Sequence, residues 1–164
     1  MLLAPHILVG AAVASQFANP LWGLLFAFLS HFVLDRTPHW EYSIEPLKHI
    51  KTRGVKYCAP ILKRVMLDIA SGFMILFFAV AISYNEIPLW AWAFGGFFGI
   101  LPDGLTSLLF SKREKSGIFY TFLKMFYFFH AKIHYSKKRG MPPLRIGLGT
   151  QAIAILLALY VLIF

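Results

Sequence analysis

Residues 20–39 read PLWGLLFAFLSHFVLDRTPH. The run is almost wholly apolar, yet it carries His31, Asp35 and His39 at intervals of four. A helix with that spacing places all three on one face, although Pro38 stands ready to end the helix before His39. Leucine, phenylalanine and tryptophan occupy the other faces, so no side is left for water. An ionisable group in such a run is costly unless it is paired, metal-bound or wet, and so marks a functional site.

The rest of the chain fits that environment. Of 164 residues, 59% are hydrophobic, 17% aromatic and only 14% charged. Soluble domains run at about 45–50% apolar, so the composition points to an integral membrane protein. The first residues, MLLAPHILVGAAVASQF, have no basic stretch before their apolar core. A cleaved secretory signal is therefore not expected, and the segment reads as part of the mature fold. The net charge of +9 would suggest nucleic acid in a soluble protein. Here lysine and arginine are absent from 1–35, 65–111 and 146–164, and all sixteen lie in 36–64 and 112–145. That is the positive-inside pattern of a bacterial-type inner membrane, with basic loops on the cytoplasmic face beside anionic lipid. No nucleic-acid partner is expected, and no feature of the chain sets an oligomeric state. Cys58 is the sole cysteine, which excludes an intramolecular disulfide. No catalytic motif surrounds it, so it reads as a small apolar residue.

Five apolar segments lie at about 3–18, 20–35, 60–83, 88–110 and 142–164. The aromatic and basic stretch 116–136 reads as an amphipathic helix lying in the membrane interface. The expected fold is all-α: one polytopic domain over 1–164 with about five apolar helices and one interfacial helix. The first two segments are short for spans, which need roughly 20 residues. They tilt in a thinned bilayer or form a re-entrant pair. An internal repeat is also legible. Pro20-Leu21-Trp22 opens a segment ending in Asp35, and Pro88-Leu89-Trp90 opens one ending in Asp103, both offset by 68 residues. Upstream, His6 and Asp68 are each followed by glycine four residues on (Gly10, Gly72). The pattern suggests a duplicated hairpin, about 1–40 and 60–111.

With the basic loops inside, His6, His31, Asp35, His39, Asp68, Asp103, His130 and His134 all reach the same leaflet. This set takes in every aspartate and all histidines but His49. Any one alone would read as a satisfied histidine or a helix-capping aspartate; together they read as metal ligands. His130 and His134 share the spacing by which one helix presents two ligands to one ion. Leu101-Pro102-Asp103-Gly104 is expected to break or kink the fourth segment. Eight ligands exceed the three or four of a single zinc, so two or three divalent ions are expected. Zinc suits the donors best, with manganese, iron or nickel as alternatives. Asp35 and Asp103 are the candidate bridging carboxylates, and Glu41 is a further ligand or a general base. Ser30 and Thr37 are candidate donors to ligands. Arg36, Lys63, Arg64 and Lys132 are candidates to hold an anionic headgroup; equally, they set topology. Glu45 and Glu114 read as surface charges, and Glu86 falls on the far side.

On these residues the chain resembles the bacterial inner-membrane metal-dependent hydrolases. The matching pieces are His6 followed by Gly10, then Ser30-His31-Phe32-Val33-Leu34-Asp35, then Leu101-Pro102-Asp103. The His-x-x-x-Asp element is also similar to that of zinc-dependent phospholipase C. The resemblance implies an all-helical fold, divalent metals and hydrolytic chemistry. The chain departs from the pattern in lacking Asp-x-Asp-His and His-Ser elements and in carrying His130-x-x-x-His134. The expected activity is hydrolysis of an amphiphilic phosphoester, such as a phospholipid or isoprenoid phosphate, by a metal-activated water at the cytoplasmic leaflet. The alternatives are a non-enzymatic metal-binding or metal-transport protein, a bis-histidine haem protein, or an assembly protein without a site.

Overall fold

A computed structural model describes residues 2–111, 116–135 and 139–164. Glu114 and the end of the expected interfacial segment, residue 136, lie outside the described residues. Every regular element among those described is helical. Helix α1 spans Leu3–Ala14, α2 Pro20–Arg36, α3 Ile50–Ala81, α4 Gly95–Ser111, α5 Ile118–Ile133 and α6 Leu144–Ile163. A 3₁₀ turn, Glu45–His49, leads into α3, and a π turn, Trp90–Phe94, leads into α4.

Two helices, over Thr52–Ala81 and Leu144–Ile163, are long and apolar enough to cross a membrane, where the sequence pointed to about five. The five apolar segments are helical, but their lengths differ. At 12 residues α1 spans about 18 Å, against about 30 Å of bilayer hydrocarbon. With 17 residues each, α2 and α4 reach about 25 Å. In the two long helices only 17% and 22% of the apolar window is buried. Most of their side chains therefore face outward, while Leu76, Ala79, Ala158 and Leu162 pack into the core around α1. Met74, Phe77 and Phe78 of α3 and Leu156, Leu157 and Tyr160 of α6 are among those exposed.

The shortest helix lies at the centre. α1 touches α2, α3, α4 and α6 and is buried along most of its length. Its alanines and glycine let other backbones come close, the means by which helices associate where lipid competes for apolar contact. A Cβ on Gly10 would lie 2.5 Å from the Gly95 carbonyl oxygen and 2.9 Å from Gly99 Cα. A Cβ on Gly99 would run into the carbonyl oxygen of His6. This crossing sets His6 beside the turn of α4 that carries Gly99. Of the break or kink expected at Pro102, the break does not occur: α4 runs on through it. Pro102 does leave the preceding turn short of one backbone donor.

α2 starts at a capped turn, with Asn19 Oδ1 accepting from Leu21 N (2.9 Å) and Pro20 in the first turn. Its buried residues are Gly23, Ala27, His31 and Asp35, one stripe at intervals of four. Small residues dock the first half against the bundle; the ligand pair occupies the second. Leu21, Trp22, Leu25, Phe26, Leu29 and Val33 cover the outer face. α3 begins earlier than the apolar run implies, before a break at Gly54 (φ +78°), and continues through Pro60. Cys58 is buried and its Sγ lies 3.1 Å from the Pro46 carbonyl, which fits the structural role expected of it.

Replacing Gly10 with valine should destabilise the protein by about 2–4 kcal/mol, because both obstructing groups are backbone and cannot rotate away. Gly104→Ala, where a Cβ meets nothing within 4 Å, is the control. Thermal unfolding in detergent micelles compares the two. Equal melting temperatures would contradict the packing described here.

Candidate metal centre

Seven of the eight expected ligands converge at one end of the bundle. α2 carries His31 and Asp35, α4 carries Asp103, and α5 carries His130 with His134 just past its end. α1 contributes His6, and the segment after α2 contributes His39, so the gathered set is His6, His31, Asp35, Asp103, His130, His134 and, by a route other than the helix, His39. All but Asp103 are buried.

Asp35 is the hub. Its Oδ2 lies 2.6 Å from His130 Nε2, 3.1 Å from His31 Nε2 and 3.7 Å from His134 Nε2. Its Oδ1 lies 3.3 Å from His6 Nε2. Asp103 Oδ1 stands 3.8 Å from both His31 Nε2 and His130 Nε2. The His6 ring stacks on His31 with centroids 4.1 Å apart. Two groups among the described residues can hold a metal ion: His31, Asp35, Asp103 and His130, and Asp35, His39 and His134. Their donor atoms lie within 4.8 Å of one another, and Asp35 belongs to both. His130 and His134, expected on one ion, fall in different groups.

The hydrogen bonds made by two of the imidazoles prepare their other nitrogens for a cation. His31 Nδ1 donates to the Gly99 carbonyl (2.8 Å). His39 Nδ1 donates to the Thr37 carbonyl (2.8 Å). With the proton on Nδ1, the Nε2 lone pair of a neutral ring points into the cluster, as in most histidine metal ligands. His39 Nε2 and both ring nitrogens of His6 are buried and find no hydrogen-bond partner among the described residues. Such orphaned donors and acceptors are rare unless an ion or water completes them. The donor set of imidazole and carboxylate fits a divalent transition metal.

His39 does not reach the site on a continued α2. The helix stops at Arg36, and Thr37 is extended (ψ 152°), the conformation favoured before a proline. Residues 37–44 then fold back over the cluster as a strap. Thr150 Oγ1 of α6 donates to the Pro38 carbonyl, and Gln151 Nε2 donates to the Trp40 carbonyl (3.0 Å). The strap also brings Glu41, whose Oε2 lies 3.3 Å from His134 Nε2 and 3.8 Å from His39 Nε2. Burial pushes the Glu41 carboxyl up, but its contacts with His134 and His39 prevail and hold it well below the usual carboxylate range.

Asp68 has another task. Its Oδ2 and Oδ1 accept from the backbone N–H groups of Leu3 (2.6 Å) and Ala4 (3.1 Å), capping α1. Tyr42 adds a hydrogen bond to Oδ2 (3.1 Å). Burial and the Asp68 charge push the Tyr42 phenol above its ordinary value, so it stays a donor. Ser30 and Thr37 spend their hydroxyls on the Ala27 and Leu34 carbonyls of their own helix, not on ligands. Arg36, Lys63, Arg64 and Lys132 are exposed and none lines the adjoining cavity. Lys132 lies two residues from His130 and from His134, so the turn of α5 that brings the histidines inward sends it out. Arg36 is rotated away from Asp35 in the same manner. On α3 the inward stripe is Ile61, Val65 and Asp68, which excludes Lys63 and Arg64.

A cavity of about 310 Å³ opens beside the cluster. Asp103, His130, His134 and Glu41 line its polar side, and Leu3, Ile44, Leu47, Val65 and Met141 form apolar walls. Thr106, Ser107 and Tyr127 also line it and were not singled out from the sequence. Glu86 lies at the opposite end of the molecule, in a recess with Ser15, Asn85 and Phe164. No family model, no curated protein and no solved structure matches this chain.

Asp68→Ala should cost about 1–2 kcal/mol through loss of the α1 cap and leave the content of bound divalent ions unchanged. Unfolding in detergent combined with elemental analysis reads both quantities. Loss of ions from a folded Asp68→Ala protein would return Asp68 to the ligand set.

Proposed function

We propose that this chain is a membrane-embedded, metal-dependent hydrolase that cleaves a phosphoester of a lipid or isoprenoid phosphate. The single observation that carries the reading is the pair of buried donor groups meeting at Asp35 beside an apolar-walled cavity. A buried carboxylate among imidazoles with orphaned nitrogens is a poor structural motif and a good cation cradle. The apolar walls suit the hydrocarbon of an amphiphile, and the polar side suits its head.

His31, Asp35, Asp103 and His130 would hold one ion, and Asp35, His39, His134 and Glu41 a second, with Asp35 bridging. Zinc suits these donors, with manganese, iron and nickel as alternatives. The chemistry that divalent cations supply in such a site is Lewis-acid chemistry: they make water nucleophilic near neutral pH and offset charge on phosphoryl oxygens. Asp103 is 31% exposed and lines the cavity, so it is the member of the first group that a substrate would reach. Among the described residues the cavity lining contains no lysine or arginine, so cations would do the work of neutralising the phosphoryl group. Arg36, Lys63, Arg64 and Lys132 would instead draw the protein's face to anionic headgroups.

Localisation follows from the same features. The outward-facing apolar helices suit a bilayer in a multi-pass arrangement, with α1 packed against both long helices. The basic stretches 36–64 and 112–145 flank the end that bears the cluster, which favours the cytoplasmic leaflet. α5 presents Phe119, Phe122, Met125 and Phe128 outward and fits a helix at the interface. A haem between His31 and His130 is disfavoured, because their Nε2 atoms are 3.1 Å apart with Asp35 Oδ2 against both. A transport path is disfavoured by the gathering of the ligands at one end.

Purified protein should contain two divalent ions per chain, and a screen of lipid phosphates and phospholipids should reveal turnover abolished by a chelator. Asp35→Ala should remove both ions and lower turnover by more than about a hundredfold. A folded wild-type protein without stoichiometric metal would end the hydrolase reading. Unchanged metal content in Asp35→Ala would mean that the shared carboxylate is not Asp35.

A further inference from the structure

We infer that the two cation sites are unequal, and that Gln151 and Gly147 of α6 control the second by holding the strap 37–44 in place. The inference rests on the metal reading above and extends it to residues that touch no ion.

The two donor groups are built differently. Every ligand of the first, His31, Asp35, Asp103 and His130, stands on a helix. Those helices are packed against their neighbours, and the His31 ring is fixed by the Gly99 carbonyl (2.8 Å). The first site therefore exists before any ion arrives. The second shares Asp35 but takes His39 and Glu41 from the irregular strap, with His134 just past the end of α5. Site geometry held by loops is looser than geometry held by helices.

What positions the strap is α6. Gln151 is buried in an otherwise apolar helix, where an amide side chain is retained only if its polar atoms are satisfied. Its Nε2 donates to the Trp40 carbonyl (3.0 Å) and to the Gly147 carbonyl one turn back (2.9 Å). Its Oε1 accepts from Leu2 N (3.1 Å) at the start of α1. One side chain thus ties the strap to the helix that carries His6. One turn away, Gly147 lets the strap lie directly on α6. A Cβ there would sit 2.7 Å from Trp40 N and 3.1 Å from the carbonyl carbon of His39. Both features bear on the residues that flank His39, and neither touches the first group.

Ions should bind in sequence, the first tightly to the helix-borne group and the second to the strap-borne group. Removing a group that orients a ligand typically weakens a metal site about tenfold to a hundredfold. Gln151→Leu keeps the volume and suits the apolar helix; Gly147→Ala leaves Gln151 and the start of α1 intact and disturbs the strap by sterics alone.

The test is cobalt(II) titration of the metal-free wild type and both variants in detergent, read by visible absorption and confirmed by elemental analysis. Far-ultraviolet circular dichroism monitors the helices. The wild type should bind two ions in two resolved steps. Each variant should keep the first step and weaken the second about tenfold to a hundredfold. Two wild-type steps in Gly147→Ala, or equal loss of both steps in that variant, would overturn the inference while leaving the metal reading intact. A single step in the wild type would overturn it too. Absence of any binding in the wild type would instead remove the metal reading on which it rests.

Discussion

A carboxylate with 1% of its surface exposed, in contact with four imidazoles on three helices, sets the terms for this molecule. In apolar surroundings an ionised carboxylate costs several kcal/mol unless opposite charge or hydrogen bonds offset the lost hydration. Asp35 meets that demand by collecting partners from α1, α2, α5 and the turn past α5. Imidazoles can supply the offset as donors, or as fellow ligands of a cation that supplies it more fully. The orphaned Nε2 of His39, a member of the second donor group, favours the second arrangement.

The remainder of the fold serves that convergence. Gly10, Gly95 and Gly99 bring α1 and α4 so close that added methyl groups would strike backbone. Gly23 leaves room for the Trp90 indole, and Ala27 is buried in the same stripe as the ligand pair. Small residues here are a positional device: they set the distance between helices, and the distance lets side chains as short as aspartate meet. Asp68 and Gln151 satisfy the start of α1, where unpaired N–H groups would otherwise be left at an apolar helix end.

Much of the site was legible because histidine and aspartate are conspicuous in an apolar chain. The intervals His31-x-x-x-Asp35 and His130-x-x-x-His134 then gave the inward faces of α2 and α5. Other assignments turned on tertiary facts that spacing does not carry. Asp68 looked like its fellow aspartates, since capping and ligation use the same carboxylate, and only the approach of Leu3 and Ala4 separates the two roles. His39 joined the cluster through a strap instead of a helix, a turn that Pro38 announced but whose path depends on α6. The four basic residues were judged by nearness along the chain, whereas helix rotation turned them outward. Gln151 did leave a signal, a lone amide in an apolar run, and that signal was overlooked beside the charged residues. Of the five apolar helices, two are long and apolar enough to span; the shortness of the first two is legible in the sequence, and the end of the helix at Ala14 leaves α1 shorter still.

Anomalous diffraction from zinc-loaded crystals tests the sharing of Asp35 most directly. Two peaks per chain are predicted, both beside Asp35, with His31 and His130 at one and His39 and His134 at the other. Peaks that avoid Asp35, or a fully zinc-loaded crystal in which His130 still hydrogen-bonds directly to it with no metal between them, would contradict the account.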